Sequence, residues 1–185
     1  MVVNKKMKIK LKSKVLMFAL LLTAATAVCA KERANIYSHS RDVPNKELIS
    51  ETGGRVKLNA FDGDFVIAVF WSRYCVPCIK ELKNLSKFVE KTRNDGIRVI
   101  MISPKGEWVS GFVEQRSFLE RFEASNLEIY VDEKEAVASA FGIFSSPVSI
   151  LISREGQEIG RIRGSVAWDK PDVIEYIYKI KAKHG

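Results

Sequence analysis

The chain's 185 residues are 46% hydrophobic and 28% charged, the size and balance of one globular domain with a leader, which excludes disordered and collagen-like classes. The net charge of +8 does not mark a nucleic-acid binder, because residues 1–30 hold six lysines and no acid, leaving only +2 for residues 31–185. No basic patch with interleaved aromatics remains, so no nucleic-acid partner is expected.

Those lysines (Lys5, Lys6, Lys8, Lys10, Lys12 and Lys14) precede the apolar run Val15-Leu16-Met17-Phe18-Ala19-Leu20-Leu21-Leu22 and small residues ending Val28-Cys29-Ala30. A basic start, an apolar middle and a small-residue end are the parts of a secretory signal peptide, with cleavage expected after Ala30. The apolar stretch 15–30 is 16 residues long, short of the ~20 that a spanning helix needs. An uncleaved membrane anchor is the alternative, and would keep the lysines on the cytoplasmic side. Lipidation of Cys29 fits poorly, since Thr26-Ala27-Val28 lacks the leucine and the small residue such sites place before the cysteine. Either way, residues 31–185 are expected to face outward, in the periplasm.

Residues 31–50 are polar and aperiodic and read as a linker or irregular arm, ahead of a domain over 51–185. Gly53-Gly54-Arg55-Val56-Lys57-Leu58 reads as a hairpin turn entering a short strand, and Asp62-Gly63-Asp64 as a second turn. Phe65-Val66-Ile67-Ala68-Val69-Phe70-Trp71 is an unbroken apolar run, expected of a strand covered on both faces. A helix follows from Cys75 to residue 94, with Ile79, Leu82, Leu85, Phe88 and Val89 at three- and four-residue steps and Asp95-Gly96 to stop it. Ile97-Arg98-Val99-Ile100-Met101-Ile102 is the next buried strand, completing a parallel βαβ unit.

Residues 103–111 read as a loop, followed by a helix with Phe112, Leu119 and Phe122 inward. Leu127-Glu128-Ile129-Tyr130-Val131 is a short strand, and 133–141 a short helix closed by Gly142. Val148-Ser149-Ile150-Leu151-Ile152 and Glu158-Ile159-Gly160-Arg161-Ile162-Arg163 flank Arg154-Glu155-Gly156 as an antiparallel hairpin. Pro171 opens a last helix, with Asp169 as a candidate cap and Val173, Ile174, Ile177 and Ile180 as its apolar face. The order β(β)αβαβαββα describes an α/β protein with helices on both sides of a central sheet.

Cys75-Val76-Pro77-Cys78 stands where the apolar strand gives way to the helix. Apart from Cys29, these two are the chain's remaining cysteines. A disulfide-stapled scaffold would spread more of them along the sequence, so an exported protein with one close pair uses it for chemistry. Such a pair can close into a disulfide and reopen, and the helix N-terminus favours a thiolate over a thiol. Pro77 removes an N–H that would be unpaired in the first turn and stiffens the loop between the sulfurs. Zinc is not expected, since a tetrahedral site needs four ligands and only His39 and His184, read as exposed tails, remain. Phe112, Phe118, Phe122, Phe141 and Phe144 read as core, and Trp108 as either a core cap or a partner contact.

Trp71-Ser72-Arg73-Tyr74-Cys75-Val76-Pro77-Cys78 resembles the W-x-x-x-C-x-P-C signature of thioredoxin-like proteins. The insertion over 103–130 and the stretch Gly164-Ser165-Val166-Ala167-Trp168-Asp169-Lys170-Pro171 resemble the TlpA/ResA-like branch of extracytoplasmic thiol–disulfide oxidoreductases, and the likeness extends over residues 45–182. The resemblance implies a thioredoxin-like three-layer α/β/α fold with a mixed central sheet and helices on both faces. It implies Cys75 as the exposed nucleophile and Cys78 as the shielded thiol that closes a disulfide with it. Pro147, in Phe144-Ser145-Ser146-Pro147-Val148, matches the family's cis-proline opposite the disulfide, with Ser146 offering its backbone to an incoming peptide strand. Glu81, three residues after Cys78, matches an active-site carboxylate that accepts the Cys78 proton or raises a thiol pKa.

Taken by themselves, Glu81 is equally a solvated helix acid and Pro147 an ordinary trans loop proline. Trp71 and Tyr74 are expected to cover the disulfide and line the substrate surface, beside Val76 and Pro77. Val76 adds no charge, unlike the His of the strongly oxidising DsbA type. One position departs from thioredoxin: its buried Asp two residues before the Trp is Val69 here. Proton handling therefore falls on Glu81, on water or on substrate. The expected activity is that of a monomeric protein-disulfide reductase without a bound cofactor. It would serve protein thiols, such as those of apocytochrome c, and be re-reduced by a membrane thiol electron-transfer partner. The rivals are a disulfide-forming oxidase or isomerase, about −120 mV being typical of DsbA against about −270 mV for thioredoxin, and a non-catalytic thioredoxin-fold binding module. The intact C-V-P-C argues against the module.

Overall fold

The structure, a computed structural model, describes residues 33–61 and 63–184. The expected leader with Cys29, the expected first mature residue Lys31, and Asp62 of the second turn lie outside the described residues. No helix among the described residues is long and apolar enough to cross a membrane.

The strands are β1 (Ala34–Asp42), β2 (Glu47–Ser50), β3 (Arg55–Lys57), β4 (Phe65–Phe70), β5 (Ile97–Pro104), β6 (Glu128–Asp132), β7 (Val148–Ile152) and β8 (Gln157–Arg163). The helices are α1 (Val76–Thr92), α2 (Gly111–Arg121), α3 (Ala136–Ala140) and α4 (Pro171–His184). All eight strands form one sheet in the order β1-β8-β7-β4-β5-β6-β2-β3. The pairs β4–β5 and β5–β6 are parallel and the others antiparallel. The expected α/β architecture with a mixed sheet is therefore present.

β4 is buried at every position, and period-two alternation divides it between two cores. Phe65, Ile67 and Val69 pack with Leu82, Leu85 and Phe88 of α1 and with Val173, Ile177 and Ile180 of α4. Val66, Ala68 and Phe70 pack with Val137 of α3 and with Phe141. Burying one such side chain contributes about 1.5–3 kcal/mol, so the central strand is anchored on both faces. The redox motif begins where that anchoring ends.

Four expectations need correction. Of the arm expected over 31–50, the described residues 33–50 are not irregular, since they carry β1 and β2. β1 pairs with β8 from Ala34↔Ile162 to Asp42↔Gln157, with an irregularity between Ile36 and Arg41. As an edge strand it leaves most side chains exposed, and so lacks an apolar pattern. The helix expected over 133–141 is broken: Lys134 and Glu135 have φ of 56° and 52°, and α3 begins only at Ala136. Buried Asp132 caps it, accepting from the N–H groups of Val137 (3.0 Å) and Ala138 (2.8 Å). Phe144 is not core but 90% exposed, and Trp108 is buried core. His39 is exposed within β1, whereas His184 is half-buried at the end of α4.

Candidate active site

β4 hands over to α1 through a loop tied at both ends. The N–H of Trp71 donates to Ile102 O (2.9 Å) and that of Cys75 to Ser72 O (3.1 Å). Cys75 is the N-cap of α1, and its Sγ accepts from the N–H of Cys78 (3.3 Å). Cys75 and Cys78 are joined in a disulfide, with their Cα atoms 5.2 Å apart. The pair is asymmetric, because Cys78 is buried and Cys75 only half-buried.

The Ser146–Pro147 peptide is cis, and Ser146 O lies 3.5 Å from Cys75 Sγ. Pro147 O accepts from the N–H of Gly164 (2.9 Å), tying this turn to the segment after β8. That segment also closes over α1. Ser165 Oγ donates to Pro77 O (3.4 Å), and the N–H of Val166 donates to Glu81 Oε2 (2.8 Å). Buried Trp168 stacks on Phe88, with ring centroids 5.5 Å apart.

Glu81 is thereby enclosed: it is 3% exposed, one turn along α1 from Cys78. Burial pushes its carboxyl up from 4.5 to about 7, against the opposing pull of the Val166 N–H. The Ser165 hydroxyl and Trp168 indole pull the same way as Val166, although the indole N–H does not reach hydrogen-bonding geometry. No cation pairs with Glu81 among the described residues.

The other expected site residues divide by exposure. Tyr74, 76% exposed, together with Val76, Pro77 and Ser146, frames the disulfide on the surface. Trp71 does not: it is 1% exposed, drawn beneath the loop by Trp108 and Phe118, whose ring centroids lie 5.7 and 6.0 Å away. It also lines the cleft beside Ser146. That cleft, of ≈ 870 Å³, opens across the C-terminal ends of β4, β5 and β6, with Phe144, Lys105 and Lys134 among its walls. Ser165, Val166 and Trp168 were not foreseen as site residues. Their contacts with α1 span eighty or more positions of sequence, and no local pattern announces them.

Such an arrangement can exchange two electrons and two protons with an external thiol or disulfide, with one sulfur accessible and the other shielded beside a carboxyl. The AhpC/TSA family model matches residues 39–177. The thiol-disulfide oxidoreductase ResA of Bacillus subtilis (strain 168) is 26% identical over 152 residues, 82% of this chain and 81% of that protein. ResA of Bacillus thuringiensis subsp. konkukian (strain 97-27) is 24% identical over 140 residues, 76% of this chain and 77% of that protein. Among solved structures, a thiol:disulfide interchange protein from Bacteroides sp. superimposes with a TM-score of 0.63 at 23% identity, covering 78% of this chain and 91% of its own. The chain thus belongs to the AhpC/TSA family, and within the thioredoxin-like superfamily it is a TlpA/ResA-like thiol–disulfide oxidoreductase.

Proposed function

We propose that this chain is an exported protein-disulfide reductase in which Cys75 attacks, Cys78 resolves and Glu81 accepts the Cys78 proton. The observation that carries the reading is Glu81, a carboxyl enclosed one turn beyond the shielded thiol and pushed to about 7. A general base is most effective when its pKa lies near the working pH.

In the reduced protein, the Cys75 thiolate at the start of α1 attacks one sulfur of a substrate disulfide. A mixed disulfide forms, and the first substrate sulfur leaves and takes a proton. The Cys78 thiol passes its proton to Glu81 and attacks the Cys75 sulfur. The Cys75–Cys78 bond forms, and the second substrate sulfur leaves as a thiolate that takes up a proton. The substrate gains two electrons and two protons, and the chain is left as its disulfide. A thiol donor must then return two electrons. For an exported chain, the leader reading supports a donor in the membrane. The resemblance of the sequence to the TlpA/ResA-like branch supports the reductive direction. The cis turn at Ser146 and the exposed Tyr74 and Val76 support a protein substrate laid beside Cys75, for which an apocytochrome c or another envelope protein is the candidate. The protein acts as a monomer in this reading.

Equilibration of the purified protein with glutathione or dithiothreitol buffers tests it. A potential more negative than about −220 mV is the expected result. A value near −120 mV would make the protein an oxidase. If no buffer forms the bond, only the binding-module reading survives.

A further inference from the structure

Arg73 stands two residues before Cys75 and takes no part in the steps above, yet its polar contacts all go to one segment of the insertion. Its main-chain N–H donates to Glu107 Oε2 (2.9 Å), and its Nη1 donates to Glu107 O (3.1 Å) and to Glu114 Oε1. The guanidinium lies 4.8 Å from the centroid of the Trp108 ring and 5.5 Å from that of Phe118. The other Glu114 oxygen accepts from the N–H of Ser110 (3.1 Å). The segment is itself anchored to the end of β5, where Trp108 Nε1 (2.8 Å) and Gln115 Nε2 (3.1 Å) both donate to Ser103 Oγ.

A continuous tie therefore runs from β5 through the insertion to the residue beside the redox loop's exposed face. Between Trp71 and Cys75, the N–H of Arg73 is the one satisfied by a side chain of the insertion, whereas Tyr74 and Cys75 turn back on Ser72. Arginine suits the position, because Nη1 donates to two acceptors while the planar guanidinium lies against aromatic rings, a flat face that lysine's ammonium lacks. The clasp gathers two carboxylates and a guanidinium on the residue two positions before Cys75. The surrounding elements add Lys80 and Glu81 on α1 and Arg163 beside the cis turn; the turn itself, residues 144–147, carries no charge.

We propose that Arg73, clasped by Glu107 and Glu114, is a positioning residue of the redox pair, holding the loop over residues 72–75 against the insertion and setting the charge that the Cys75 sulfur meets. A nearby cation favours the Cys75 thiolate and a nearby carboxylate disfavours it. Whatever stabilises the reduced form makes the pair a stronger oxidant. Removing the cation and removing one carboxylate must therefore move the potential in opposite directions. A tie that only held the loop in shape would move it the same way in both cases, or not at all.

The inference rests on the oxidoreductase chemistry, and the experiment separates the two. The full-length chain is equilibrated with glutathione: two glutathione thiols reduce the Cys75–Cys78 bond and become one glutathione disulfide. Arg73→Met is expected to shift this equilibrium toward the protein disulfide by about fivefold, about 20 mV. Glu114→Gln is expected to shift it toward the dithiol by about twofold, about 10 mV. Shifts of the same sign, or an unchanged equilibrium in both variants, would overturn the proposal even if melting temperatures fall. If Arg73→Met does not fold, Glu114→Gln decides alone: a shift toward the dithiol supports the clasp, and no shift or the reverse overturns it. If the wild-type pair cannot be titrated, it is the oxidoreductase reading that fails.

Discussion

Two buried carboxylates, Glu81 beside the thiols and Glu158 near the β1 edge, show how one side chain serves chemistry in one place and architecture in another. Glu158 is 2% exposed, and its Oε1 accepts from Tyr37 OH (2.8 Å) and from Arg161 Nε (2.5 Å) while Oε2 accepts from Arg161 Nη2 (3.1 Å). Arg161 Nη1 continues to Phe141 O (2.7 Å), so the guanidinium is bonded on both sides. Glu81 is equally enclosed but receives one main-chain N–H and, among the described residues, no cation. A fully answered carboxylate locks strands together. One left without a cation near neutral pH is available to take a proton.

The sharpest way to break the contrast is to make the paired site resemble the unpaired one. Arg161→Met leaves Glu158 buried without its cation, and should cost about 3–5 kcal/mol of stability in urea unfolding, while the Cys75–Cys78 potential stays in place. The converse change is Glu81→Gln. Because the folded-state value of about 7 lies above the ordinary 4.5, the folded protein binds more protons than the unfolded one between those pH values. Stability therefore falls as pH rises through that window. The Gln variant lacks this slope, and should gain up to about 3 kcal/mol over the wild type above pH 7 and nothing below pH 4. It should also resolve mixed disulfides about 100-fold more slowly at neutral pH, measured by stopped-flow with a disulfide peptide. A stability difference that is constant with pH would remove Glu81 from the proton-accepting role.

Smaller effects sharpen the β1 side. A Cβ on Gly160 would lie 2.7 Å from Ile36 Cδ1 and 2.8 Å from Asn35 O, which is main chain. Gly160→Ala should push β1 off β8 at a cost of about 1–3 kcal/mol, seen as faster amide exchange in β1 with turnover unchanged. Tyr37→Phe removes one of the bonds to Glu158 and should cost about 1 kcal/mol; no measurable loss would mean that Arg161 alone satisfies the carboxylate.

What could be read from the sequence was what is local. β4 is apolar throughout because both its faces are covered, and α1 shows its buried side every three or four residues. The edge strand β1 and the short strand β2 take their pairing from β8 and from β6 and β3, so their own patterns are mute. Trp71 looked like a surface residue from its place beside the thiols, but Trp108 and Phe118 of the insertion draw it inward. Glu81 could be singled out by its spacing from Cys78, whereas its enclosure depends on residues 164–168 folding across α1. Arg73 gave no signal, since its partners lie 34 and 41 positions away.

The most direct test is the titration of the Glu81 carboxyl itself, followed by carboxyl-carbon NMR in the oxidised protein, where neither sulfur of the pair can titrate, with Glu81→Gln to assign the signal. A midpoint near 7 is the result this account predicts. A midpoint near the ordinary 4.5 would show Glu81 already ionised at neutral pH, and would contradict its place as the proton acceptor for Cys78.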